Sequence, residues 1–152
     1  MKKTVSLVLV LSMIAAVVIG FGTAENAQTL SNTEKALALI NTFATGDTDT
    51  ARSLLADGYI QHNLAYGTGA DAFIGSVEYL TSADVKTTVN NIRAFEDGDE
   101  VFLQTIYNFA GAGEQIAFDI FRFGENGKIA EHWDVMETIA DQSTWQNQNG
   151  KF

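Results

Sequence analysis

Two rhythms divide the chain. Between residues 32 and 80 apolar side chains recur at helical spacing, and from Val85 onward they alternate with a period of about two. Ser31-Asn32-Thr33-Glu34 has the form of a capping box, with Ser31 as N-cap and Glu34 as its reciprocal partner. Ala36, Leu37, Leu39, Ile40 and Phe43 then mark the inner face of a helix over about 32–45, which Gly46 ends. Asp47 or Thr48 caps a second helix through Leu55. Tyr59-Ile60-Gln61-His62-Asn63 reads as a brief strand, and a glycine-containing loop at 66–69 leads into a third helix over about 70–80. Alternation then predicts strands over 85–95 and 100–109, separated by the Asp97-Gly98-Asp99 turn and followed by a turn at 111–113.

The strongest local signal lies at 118–134, FDIFRFGENGKIAEHWD. Two alternating runs flank Asn126-Gly127, which predicts a tight type I′ hairpin closed by Glu125 and Lys128. In that register Arg122 faces Glu131, Phe121 faces His132 and Asp119 faces Asp134. Side chains alternate between faces of a strand. One face therefore carries Asp119, Phe121, His132 and Asp134, and the other Phe118, Ile120, Arg122, Ile129, Glu131 and Trp133. Two carboxylates and an imidazole on one face are unusual for a core. Arg122 and Glu131 make a structural cross-strand pair.

Helices first and a meander of strands afterwards predict an α+β domain with the helices on one face of the sheet. The 152 residues, 46% of them hydrophobic, suit a single core. Residues 1–24 stand apart from it. A basic start, Met1-Lys2-Lys3, precedes an apolar run at 5–22 and the small residues Gly22-Thr23-Ala24, which together read as a signal peptide cut after Ala24. An uncleaved membrane anchor is the alternative, because the run is nearly long enough to span a bilayer. Either way the domain is expected outside the cytoplasm, secreted or periplasmic. Residues 25–30 form a linker, 31–140 the domain and 141–152 a polar tail that is expected to fray. Losing the two lysines of residues 1–24 takes the formal net charge from −10 to −12, so nucleic acid is not an expected partner. Without cysteine the chain has neither disulfides nor thiolate chemistry. The two histidines show no metal-ligand spacing, and neither a metal nor another cofactor is expected.

The order of elements resembles the nuclear transport factor 2-like superfamily, and within it the SnoaL-like polyketide cyclase and aldol-condensing branch. The resemblance is carried by Gly46-Asp47 between the first helices, by Tyr59-Ile60-Gln61-His62-Asn63, and by Asp119-Ile120-Phe121-Arg122, Gly127-Lys128-Ile129 and Glu131-His132-Trp133-Asp134. It spans about 33–136. It implies a cone in which three N-terminal helices pack on a curved antiparallel sheet around an interior pocket. It also implies that Asp119 occupies the place of the acid with which ketosteroid isomerase hydrogen-bonds its substrate oxygen. That enzyme's base falls near His62-Asn63 and its tyrosine donor near Leu39, so a steroid isomerase is not expected. Gln104 stands where SnoaL-like relatives often carry a histidine.

These readings converge on acid–base work on a small apolar carbonyl compound, an aldol cyclisation or an isomerisation. Asp119 and His62 would share the proton transfer. Asn63, Gln104, Tyr107, Phe121, His132 and Asp134 would line or support the ligand site. Tyr59 and Tyr66 are packing residues that could donate to a ligand oxygen. Two other classes fit the same sequence: a domain that binds an apolar ligand without turnover, and an assembly module that dimerises through the outer sheet face.

Overall fold

A computed structural model describes residues 30–152. Helix α1 (Asn32–Thr45) begins at the predicted capping box, with the Ser31 side chain and backbone both bonded to Glu34, and ends on Gly46 at φ +76°. Helix α2 (Thr48–Leu54) is capped by Asp47. Strand β1 (Leu55–Gln61) follows directly, so Leu55 opens a strand where the helix was expected to continue. Helix α3 (Ala70–Ser82) precedes the meander of β2 (Thr88–Asp97), β3 (Glu100–Asn108), β4 (Gln115–Phe123) and β5 (Ile129–Thr138).

The five strands form one sheet in the order β1-β5-β4-β3-β2. The meander is antiparallel, but β1 runs parallel to β5, so the sheet is mixed and not wholly antiparallel as expected. No short turn links β1 to β5, and only a tight hairpin would force the antiparallel direction. Register shifts in the β1–β5, β2–β3 and β4–β5 pairs mark bulges or irregularities of the kind that bend strands and increase twist. The sheet wraps over α1 and α3, giving the expected cone. Its core joins Leu39 and Ile40 of α1, Phe73 and Val77 of α3, and Leu103, Phe121 and Ile129 of the sheet.

The hairpin register is as predicted, with Asp119 opposite Asp134, Phe121 opposite His132 and Arg122 opposite Glu131. Its turn differs. Gly124 N–H donates to the Lys128 carbonyl and Gly127 N–H to the Gly124 carbonyl, which makes a three-residue loop. Only Gly127 has a positive φ (+69°), so this is a type I turn with a glycine bulge, not type I′. The extra loop residue is offset by the register shift between Arg122 and Phe123, and the pairing beyond it is unchanged.

The C-terminal tail, expected to fray, lies folded back against the domain. A short 3₁₀ turn (Gln142–Thr144) folds it back, Trp145 Nε1 donates to the Ala140 carbonyl, and Gln104 Nε2 donates to the Lys151 carbonyl. Among the described residues no helix is long and apolar enough to cross a membrane. The expected signal peptide, and the linker as far as residue 29, lie outside the described residues.

Candidate functional site

The concave face of the sheet and the helices above it enclose a cavity of about 460 Å³. Its walls are aromatic: Phe43 from α1, Phe73 and Tyr79 from α3, Tyr107 from β3, Phe109 beyond it, and Phe121 from β4. Tyr66 and Gly67 of the β1–α3 loop border it as well. Tyr59, Gln61, Asp119, His132 and Asp134 supply polar groups, and among the described residues neither lysine nor arginine lines it.

Strand alternation explains how these groups meet. Asp119 and Phe121 point inward from β4, and their partners Asp134 and His132 point inward from β5. On the far side of β5, Gln61 of β1 pairs with His132. Asp119 is only 3% exposed and His132 only 7%. Tyr107 O–H donates to Asp119 Oδ2 at 3.0 Å, and His132 Nε2 lies 3.2 Å from Asp119 Oδ1. The His132 ring stacks on Phe121 with centroids 4.4 Å apart. Its other nitrogen, Nδ1, lies 2.9 Å from Gln61 Nε2. Both ring nitrogens and one ring face are therefore occupied by protein.

Asp134 is placed differently. Asn63 Nδ2 donates to its Oδ1 at 2.6 Å, while Oδ2 has no hydrogen-bond partner among the described residues. Burial pushes the Asp134 carboxyl above its ordinary range and the Asp119 charge adds to this; His132 and the Asn63 bond oppose it. Burial, with the Asp119 carboxylate beside it, raises the Tyr107 phenol well above its usual value. Burial raises Tyr59 too, aided by Asp134 and Asp119. Both phenols are therefore held as neutral donors.

Of the expected site residues, the fold brings together Asp119, Tyr107, Phe121, His132, Asp134 and, through its amide, Asn63. It does not bring His62 to Asp119. His62 follows Gln61 directly at the end of β1, its N–H still bonded to the His132 carbonyl, so when Gln61 points into the cavity His62 points out. There His62 Nε2 contacts Glu131 Oε2 at 2.9 Å and its ring stacks on Trp133 at 4.4 Å. Glu131 also takes the Arg122 guanidinium, as expected of a structural pair, and the bonds from His62 and Arg122 lower its carboxyl. Gln104 is buried on the outer face, held by Arg93 and the Lys151 carbonyl, and so is not a cavity donor. Tyr59 and Gln61 are polar residues of the cavity floor to which the sequence analysis assigned no leading role. Their spacing, two apart on a strand, was the available signal.

Histidine spacing showed no metal motif, yet Asp119, His132 and Asp134 offer donor atoms within 4.8 Å of one another. A divalent cation there would have to displace hydrogen bonds now made by Asp119 or His132.

The SnoaL-like domain family matches residues 36–132. Among solved structures, an NTF2-like protein of unknown function from Cytophaga hutchinsonii superposes with a TM-score of 0.60 at 16% identity, covering 71% of this chain and 91% of that one. An LEH-like epoxide hydrolase from Mycobacterium tuberculosis has a TM-score of 0.60 at 17% identity, covering 70% and 82%. IdmH of Streptomyces antibioticus, a candidate polyketide cyclase, has a TM-score of 0.57 at 18% identity, covering 71% and 93%. At these identities the likeness is one of fold. No curated relative matches the sequence at comparable significance.

Proposed function

The chain belongs to the SnoaL-like domain family, and we propose that it is an acid–base catalyst acting on a small, neutral, largely apolar carbonyl compound. One observation carries this reading: an aromatic cavity of about 460 Å³ whose polar groups include a carboxylate with one oxygen unpartnered among the described residues. Volume and lining suit a ligand of one or two rings. Two carboxylates, with no lysine or arginine in the lining among the described residues, disfavour an anionic ligand.

Asp134 is the base. Its Oδ2 takes a proton from the carbon next to the carbonyl, that C–H bond breaks, and its electrons pass into the carbonyl to leave an enolate oxygen. Tyr59, a neutral phenol in the cavity wall, donates a hydrogen bond to that oxygen. Two outcomes then balance. The enolate carbon attacks a second carbonyl of the same molecule, a C–C bond forms, and the new alkoxide recovers the proton from Asp134. Alternatively the proton returns to a different carbon and the product is an isomer. The Asp119–His132 pair, with all its contacts inside the protein, holds the cavity floor and its charge.

The expected result is enzyme-catalysed exchange of the α-protons of 2-tetralone in D2O, followed by proton NMR, and its loss in Asp134→Asn. Exchange no faster than in buffer sinks the catalytic reading; saturable binding of 2-tetralone without exchange would support a binding domain instead.

The outer sheet face supports a second property, a homodimer. Phe95, Phe102, Ile120 and Trp133 stand opposite one another across β2, β3, β4 and β5, and Phe118 and Val135 pair beside them. Phe95 is 62% exposed and Val135 72%. An apolar row of which Phe95, Phe102, Phe118 and Val135 are open to water is characteristic of a protein–protein contact.

A further inference from the structure

Hydrogen-bond direction at the cavity floor is fixed by the backbone. Asn63 N–H donates to Gln61 Oε1 at 2.9 Å. A backbone N–H can only donate, so the Gln61 oxygen faces Asn63 and its NH2 faces the cavity. The two hydrogens of that NH2 go to His132 Nδ1 at 2.9 Å and to the Tyr59 oxygen at 3.2 Å. An Nδ1 that accepts carries a lone pair, so the ring proton sits on Nε2 and is donated to Asp119 Oδ1. The Tyr59 oxygen accepts from Gln61, which leaves its own proton without an acceptor among the described residues. Turning the Gln61 amide over would set its NH2 against the Asn63 N–H, two donors face to face.

We propose that Gln61 is a positioning residue that reads its orientation from the Asn63 backbone, holds His132, together with Asp119, as the Nε2–H tautomer, and directs the Tyr59 hydroxyl proton to a ligand oxygen in the cavity. At its floor the cavity then offers a donor, the Tyr59 hydroxyl, beside an acceptor, Asp134 Oδ2. That pair fits a ligand with an acceptor oxygen beside an acidic C–H. The ligand half of this inference rests on the acid–base reading above; the tautomer half stands without it.

The test is nitrogen-15 NMR of the full chain labelled in its two histidine rings, with His62→Asn used to assign the signals. In the wild type at neutral pH, His132 should show a pyridine-like Nδ1 and a pyrrole-like Nε2. Gln61→Glu replaces the amide donor with an acceptor, so both His132 nitrogens should become protonated at that same pH. Gln61→Met removes the donor and keeps the length; Asp119 still accepts from Nε2 in that variant, so the ring proton should stay there while the Nδ1 signal moves to that of a pyridine-like nitrogen without a hydrogen bond. Tyr59→Phe should leave the His132 signals in place and slow α-proton exchange of 2-tetralone by about 10²-fold or more. A wild-type His132 protonated at Nδ1, or His132 signals indifferent to both Gln61 substitutions, would overturn the proposal. If 2-tetralone is not exchanged at all, the acid–base reading and the ligand half fall, and the histidine spectra still decide the role of Gln61.

Discussion

Asp134 and His62 separate a cavity carboxylate from a surface imidazole. A carboxyl whose folded pKa is raised contributes stability that is fully present below the unfolded value and is lost as pH rises through the folded value. Asp134→Asn should therefore raise the thermal midpoint at neutral pH and change it little near pH 4, which thermal unfolding across that range will show. Its turnover should fall by about 10²–10⁴-fold, the usual worth of a positioned base. His62→Ala should leave turnover within about twofold, because the ring sits on the outer face against Glu131 and Trp133. The sequence reading paired His62 with Asp119 because both are titratable and both fall in family motifs. Which way a side chain points on β1 depends on its pairing with β5, and no turn between the two strands records that pairing. Asp119, Asp134 and His132, joined by a short hairpin, were legible for the opposite reason.

At the scale of elements, the β4–β5 hairpin decides the site, because its register sets Asp119 against Asp134. Gly127 sits in the turn at φ +69°, and a Cβ there would meet Lys35 Nζ at 3.1 Å. Gly127→Ala should cost about 1–2 kcal/mol for the left-handed backbone alone, read as a lower midpoint in urea. It should also disturb the bond from Lys35 Nζ to the Gly127 carbonyl, which ties α1 to the turn. Helix α1 was readable to its ends because the capping box and Gly46 are local signals. The turn type was misread. Asn-Gly fits both the two-residue type I′ loop and the three-residue loop with a glycine bulge, and only the backbone distinguishes them.

For the molecule as a whole, the cone leaves one sheet face around the cavity and presents the other outward. The row Phe95-Phe102-Ile120-Trp133 predicts a dimer by sedimentation that Phe102→Asp dissociates without emptying the cavity of ligand. A wild-type chain that stays monomeric at every concentration tested would remove that proposal. Residues 1–24 carry the expectation of export, so the amino terminus of protein recovered from fractionated cells should be Glu25. The overall architecture was legible because a change from helical to alternating periodicity belongs to the whole chain. The cavity was not, since its walls come from α1, α3 and four strands whose side chains meet only in three dimensions.

The central claim, that a cavity carboxylate and not a surface histidine moves the proton, is tested most directly by the pH dependence of α-proton exchange in 2-tetralone. The wild type should show one rising limb with an apparent pKa above the usual aspartate value of about 3.9. That limb should be unchanged in His62→Asn and absent in Asp134→Asn. A limb that disappears with His62→Asn, or survives in Asp134→Asn, would contradict the account.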